Sequence, residues 1–201
     1  MYNAELFEAA KKSFLELKSK YPESSYSQNA AIWAGRTSLR MRNYQEALSE
    51  FSAVKAESGE YPASLFYLGE TYSRMGRKED SISSYYTLAA RFPSYELADD
   101  ALIRMTELYI DDRKGNLALA SATRVIRDYP DQNTIDDAYF LIGVIYERDP
   151  VLKDMQVSRS FYRKFVEKAS AGEIHFKNSP LLRRARQNLR RLESTYFRYE
   201  R

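Results

Sequence analysis

The chain contains no cysteine. Disulfides, thiolate metal sites and a cysteine nucleophile are excluded, and the absence is compatible with an oxidising or a reducing compartment. Histidine occurs once, as His175. No His-Glu-x-x-His helix, Gly-rich phosphate loop, calcium loop or Gly-x-Ser-x-Gly elbow is present. Glycine, with 7 residues, and proline, with 6, are scarce in a chain of 201, and the prolines sit at segment edges. That suits long helices with short connections. No apolar run approaches the ~20 residues needed to cross a bilayer. The opening Met1-Tyr2-Asn3-Ala4-Glu5 lacks the basic head and apolar stretch of a signal peptide. Net charge is only +3, so the surface as a whole does not advertise nucleic acid or membrane. What is present is 44% hydrophobic and 29% charged, ordinary for a folded domain. The charge is uneven: residues 181–201 hold seven Arg against two Glu.

Self-similarity is the main positive signal. Four segments share a pattern with steps of 3, 1 and 3: Ala31-Ala34-Gly35-Ser38, Leu65-Leu68-Gly69-Tyr72, Leu102-Met105-Thr106-Tyr109 and Tyr139-Ile142-Gly143-Tyr146. Their third positions lie 34, 37 and 37 residues apart. Such steps place all four side chains on one helical stripe. Between them recurs a small–aromatic–aliphatic triplet followed by proline. It reads Ala10-Phe14-Leu17-Pro22, Ser81-Tyr85-Leu88-Pro93 and Ala118-Ala122-Val125-Pro130, while Ala47-Phe51-Val54 and Ser158-Tyr162-Phe165 lack the proline. The two patterns predict alternating helices of a first and a second type. Glycine inside a helix costs roughly 1 kcal/mol against Ala, yet Gly35, Gly69 and Gly143 share one phase of the repeat. Close approach of the partner helix explains them, with the small residue of the triplet facing the gap.

On these residues the chain resembles the tetratricopeptide repeat, a 34-residue helix-turn-helix. Residues 62–95 match it best, through Leu65, Leu68, Gly69, Tyr72, Gly76, Ser81, Tyr85, Leu88 and Pro93. Ser81 stands where the family has Ala; elsewhere Thr106 replaces Gly, Ala122 replaces the aromatic, and Ala34 and Ser38 replace a larger pair. The resemblance implies an all-α, right-handed superhelical solenoid. The expected single domain, 1–201, has ten helices: an unpaired second-type helix within 4–22, pairs over 25–57, 62–93, 95–130 and 133–170, and a capping helix over 180–198. The unpaired start suggests a chain cut in mid-repeat; a natural lone cap is the other reading. Asp149-Pro150-Val151-Leu152-Lys153 lengthens the turn of the last pair, and 171–179 is expected to be a polar loop around His175, itself a surface residue. The aromatic-Pro junctions at Tyr21-Pro22, Phe92-Pro93-Ser94-Tyr95 and Tyr129-Pro130 are similar to those of bacterial cell-envelope repeat proteins, including BamD-type assembly lipoproteins and the YbgF-type coordinator. This second resemblance implies the periplasm or cell envelope, with the cytoplasm as the alternative.

Chemistry is not expected. The pairs Asp99-Asp100 and Asp136-Asp137 open helices, where carboxylates favour the positive end of the dipole. No metal, cofactor or catalytic residue is assigned. The resemblance places partner-binding residues on the concave face, on first-type helices: Asn29, Ile32, Trp33, Arg36 and Arg40; Phe66, Tyr67, Glu70 and Arg74; Asp100, Ile103, Glu107 and Asp111; Asp137 and Phe140. Ile32, Phe66, Ile103 and Phe140 recur at one phase and read either as an apolar track for a bound segment or as packing between repeats. Arg36, Arg40 and Arg74 lie toward the N-terminal end, and the acidic members toward the C-terminal end. The expected partner is therefore another protein or peptide of opposite polarity, held by a non-enzymatic scaffold. A cytoplasmic regulatory or sensory domain is the first alternative. The second is a binder of anionic polymers through the Arg-rich last helix. Nucleic acid is not the expected ligand, and any peripheral membrane tether would lie outside these residues.

Overall fold

The computed structural model describes residues 2–198. Residue 1 and residues 199–201, counted in the single-domain expectation, lie outside it. Among the described residues all regular structure is helical, with no strand: α1 (Tyr2–Lys20), α2 (Ser25–Arg40), α3 (Tyr44–Ser52), α4 (Tyr61–Arg74), α5 (Lys78–Arg91), α6 (Ala98–Asp111), α7 (Gly115–Asp128), α8 (Ile135–Arg148), α9 (Met155–Ser170), α10 (Ile174–Lys177) and α11 (Leu182–Tyr196). The chain divides into two compact units, Met1–Ala98 and Asp99–Arg201. In the first unit Ile32, Leu39, Phe51 and Val54 anchor an apolar core. In the second, Phe140, Tyr162, Phe165, Phe176 and Leu192 do so.

Each first-type helix is introduced by the same two-step turn. The N–H of Ser24, Ser58, Tyr95 and Gln132 donates to the carbonyl three residues back, and their own carbonyls accept from Ser27, Tyr61, Ala98 and Ile135. The turns at Tyr21, Phe92 and Tyr129 are the aromatic-Pro junctions seen in the sequence, and the one at Lys55 builds the same turn without that motif. A fifth copy runs from Phe176 through Ser179 to Leu182 and introduces α11. The last helix is therefore a first-type helix that lacks a second-type partner within the described residues. It binds unit 2 through Ala185 and Leu192, both fully buried. At the glycine phase, however, it carries Arg190, which is exposed.

The turns inside the pairs repeat as well. The N–H of Asn43, Arg77 and Lys114 donates to the carbonyl of Ser38, Tyr72 and Tyr109, around a residue of positive φ that is Arg42, Gly76 or Arg113. In the last pair the turn is three residues longer but keeps the closing bond, the Asp154 N–H donating to the Tyr146 carbonyl at 2.7 Å. There Asp149 folds the loop by accepting from the N–H groups of Val151 and Leu152, both at 2.9 Å. Asp154 then caps α9 through Gln156 and Val157.

The glycines sit where the pairs close. A Cβ on Gly35 would meet the Phe51 ring at 2.5 Å, on Gly69 the Tyr85 ring at 2.6 Å, and on Gly143 the Tyr162 ring at 2.7 Å. The ring of the triplet fills the gap, rather than its small residue as the pattern suggested. The small residue has a different part. Where it is serine, its hydroxyl donates to the glycine's own carbonyl, Ser81 to Gly69 and Ser158 to Gly143, each at 2.8 Å. In the third pair both halves depart together. Thr106 occupies the glycine position and Ala122 the ring position, and both are fully buried. Volume added on one helix is removed from the other.

Two expectations need correction. The helix drawn to residue 57 ends at Ser52, where the Gln28 side chain accepts the Lys55 N–H at 2.8 Å and holds the chain in a turn. The polar loop at 171–179 contains α10, because the Phe176 ring packs against Phe165 at 5.2 Å and Tyr139 at 5.3 Å. His175 is consequently half-buried rather than a free surface residue.

Gly69→Ala tests the interlock by its sign. In an open helix alanine would stabilise by about 1 kcal/mol; against the Tyr85 ring it is expected to destabilise by roughly 1–3 kcal/mol. Ser81→Ala is expected to cost about 1 kcal/mol through loss of its hydrogen bond. Denaturant unfolding followed by circular dichroism measures both.

Candidate functional site

The first-type helices present one stripe each to the expected binding face. In unit 1 it comes from α2 and α4. Trp33 and Arg36 are one helical turn apart on α2, and the Arg36 guanidinium lies 4.2 Å from the Trp33 ring and 5.0 Å from the Tyr67 ring on α4. The two rings are themselves supported from below. Phe14 stacks on Trp33 at 6.2 Å, and Phe51 stacks on Tyr67 at 5.5 Å, both with planes 21° apart. Burial pushes the Tyr67 phenol above its ordinary value, against the pull of Arg36. Asn29 donates to Glu60 at 3.2 Å. Arg40 and Arg74 are exposed, and Glu70 is partly covered.

Two further residues join this surface. Tyr95, from the junction before α6, is raised by burial and by the carboxylates of Glu96 and Glu60, with Tyr67 and Arg36 also acting on it. Tyr95 and Glu60 lie in connections, outside the helical stripes used to choose candidates. The recurrence of Tyr95 in an aromatic-Pro junction was the one available signal.

In unit 2 the stripe comes from α6 and α8 and is acidic. Glu107 accepts from Arg104 at 3.1 Å, and Asp111 is exposed. Asp111 borders a cleft of about 520 Å³ with Ile110, Val144 and Arg148. Burial raises the Asp137 carboxyl to about 7, with Asp136, Glu107 and Asp100 pushing the same way and Arg104 opposing. The paired acids thus divide the work. Asp99 and Asp136 are buried in the first turns of α6 and α8, Asp99 accepting from Thr134 at 2.7 Å. Asp100 and Asp137 are partly exposed.

The apolar track does not form a surface. Ile32, Phe66, Ile103 and Phe140 are each no more than 7% exposed. Phe66 packs edge-on to Tyr67 and against Tyr85, and Phe140 packs against Tyr162 and Phe165 under the Arg184 guanidinium. This burial fits the reading of these residues as packing. The exposed part of the face is aromatic and charged.

On α11, Arg184 and Arg191 are engaged, the first over Phe140 and the second with Glu147 at 2.6 Å. Arg183, Arg186 and Arg190 are exposed. Among the described residues no group of three or more His, Cys, Asp or Glu is placed to hold a metal ion. No described helix is long and apolar enough to cross a membrane.

Residues 63–95 match the family model described as tetratricopeptide repeat. Among solved structures, the fold is similar to a thermophilic tetratricopeptide-repeat protein of Thermus thermophilus. The two share 18% identity with a TM-score of 0.58, over 94% of this chain and 93% of that one. No curated protein sequence matches the chain.

The buried acid gives unit 2 a pH dependence of defined sign. An unfolded aspartate loses its proton near pH ~4, whereas folded Asp137 does so at about 7. Between these values the folded state holds a proton that the unfolded state has released, so this group's contribution falls as pH rises from about 4 to 7. Asp137→Asn is expected to remove that decline, stabilising unit 2 at pH 8 by the order of 1–3 kcal/mol and far less at pH 4. Denaturation midpoints of both proteins across this range measure the difference.

Proposed function

We propose that this chain, whose residues 63–95 match the tetratricopeptide-repeat model and whose fold is an all-helical solenoid of that type, is a non-catalytic scaffold that binds a protein or peptide on its first-type helices. One observation carries the reading. Arg36 is held between the Trp33 and Tyr67 rings, yet it makes no hydrogen bond or ion pair with any described residue. A guanidinium fixed by two rings keeps its N–H fork free and has already lost much of its rotamer freedom. Such an anchor takes a carboxylate in bidentate fashion at low entropic cost. Trp, Tyr and Arg are also the residue types that dominate interface energies. Arg40 and Arg74 add positive potential to unit 1, so the segment bound there carries acidic residues. The acidic stripe of unit 2, with Glu107, Asp111 and Asp137, takes basic ones.

The aromatic-Pro junctions support a place in a bacterial cell-envelope complex, since their sequence is similar to that of envelope scaffolds and each builds the same two-step turn. A cytoplasmic regulatory domain is the competing assignment, and fractionation of the native protein distinguishes the two. A second reading, an anionic-polymer surface on α11, draws on the exposed Arg183, Arg186 and Arg190. Steep loss of binding with added salt would identify it.

The main reading is tested with partner captured from native extract and identified by mass spectrometry. An Arg36→Glu/Arg74→Glu chain is expected to bind it at least tenfold more weakly than wild type, and Glu107→Lys to weaken it severalfold. Equal affinity of all three proteins would remove this face from the function.

A further inference from the structure

The longer turn of the last pair brings Asp149 against Gly115, the first residue of α7. A β-carbon on Gly115 would overlap the Asp149 carboxylate. The corresponding first residues of α3 and α5 are Tyr44 and Lys78, so the glycine at α7 opens room that the other turns do not need. The positive end of α7 favours a negative charge there.

Asp149 is only 8% exposed. Its Oδ1 holds the turn by accepting both the Val151 and the Leu152 N–H. Its Oδ2 accepts no hydrogen bond from any described residue. An asparagine carbonyl would fold the same turn, so turn formation leaves the second oxygen without a task. Among the described residues no unpartnered side-chain oxygen or nitrogen is wholly enclosed, and Oδ2 therefore reaches open space. The space that Asp149 lines is the cleft of about 520 Å³ in unit 2. Ile110, Val144, Ile145 and Pro150 give that cleft an apolar wall, Asp111 adds a second carboxylate, and Arg113 and Arg148 add two guanidiniums. Asp111, Arg113 and Arg148 are exposed and make no hydrogen bond or ion pair with any described residue.

We propose that this cleft takes a lysine side chain, flanked by acidic residues, from the segment that the first-type helices bind. The inference deepens the scaffold reading and rests on it for the source of the lysine. The four-carbon stem of lysine runs along the apolar wall, where long cationic side chains bury their methylenes. Its ammonium donates to Asp149 Oδ2 and Asp111. Arginine suits the cleft less well. A guanidinium fork seeks both oxygens of one carboxylate, and Oδ1 is already engaged twice. An ammonium is a compact point charge that a single free oxygen can accept. Arg113 and Arg148 would repel an isolated cation, so the residues beside the lysine supply carboxylates for them.

The amide resonances of Val151 and Leu152 report on the cleft, because both N–H groups bond Asp149. The probes are the blocked peptide acetyl-Asp-Lys-Asp-amide and the same peptide with norleucine or arginine in place of lysine. Titrated into the isotopically labelled chain, the lysine peptide is expected to shift both resonances saturably. The norleucine and arginine peptides are expected to bind at least tenfold more weakly. Asp149→Asn keeps an oxygen for the turn and puts an amide donor where Oδ2 lies; it is expected to lose at least tenfold in affinity for the lysine peptide. Asp111→Asn lies outside the turn, is expected to lose severalfold, and decides the question if Asp149→Asn does not fold. The proposal is overturned if the lysine peptide gives no saturable shift at millimolar concentration, or if the norleucine or arginine peptide binds as tightly. It is also overturned if Asp111→Asn and any folded Asp149→Asn bind the lysine peptide as wild type does. The titration needs no native partner. Equal partner affinities in the Arg36→Glu/Arg74→Glu comparison would remove the wider face and leave a positive result here standing.

Discussion

A ring laid on a glycine backbone is the contact on which the rest of this structure depends. In three of the four complete pairs an aromatic side chain occupies space that a β-carbon would otherwise fill. Fully burying such a ring contributes about 1.5–3 kcal/mol, which more than offsets the roughly 1 kcal/mol that glycine costs a helix. The contact also fixes register. A helix sliding by one residue would present a side chain where only a backbone fits, so each pair closes in one way. The serine hydroxyls that bond the glycine carbonyls in the second and fourth pairs pin that register with a directional interaction.

Function follows from this closure by subtraction. Once each pair is sealed, the aliphatic and phenylalanine residues of the first-type helices belong to packing, and what remains outside is aromatic edge and charge. The Trp33–Arg36–Tyr67 arrangement in unit 1 and the half-buried Asp137 in unit 2 are such remainders. They are held in place by contacts that the pairs need anyway.

Most of the helical plan was legible in the sequence, because the steps that seal a pair are local and repeat. The pairs expected over 62–93 and 95–130 fall on α4 with α5 and on α6 with α7, and Gly35, Gly69 and Gly143 marked the close approaches. What stayed hidden depends on contacts distant in sequence. Gln28 ends α3 from another helix. Phe176 builds α10 because two rings await it, while its own neighbours are polar. Burial of Ile32, Phe66, Ile103 and Phe140 could not be separated from exposure by phase alone, because both readings place them on the same stripe. Tyr95 and Glu60 reach the candidate face from connections, where helical periodicity gives no direction. The exchange of Thr106 for glycine and Ala122 for an aromatic looked like two unrelated departures until both were found fully buried.

That exchange supplies the most direct measurement of the interlock. Unfolding free energies would be determined for wild type, Thr106→Gly, Ala122→Tyr and the double variant. Each single change is expected to destabilise, one by leaving space and the other by overfilling it, by about 1–3 kcal/mol each. The double variant restores the glycine-and-ring arrangement of the other pairs and is expected to recover at least about 1 kcal/mol of the summed loss. Strict additivity of the two changes would contradict the claim that ring and glycine positions are one contact.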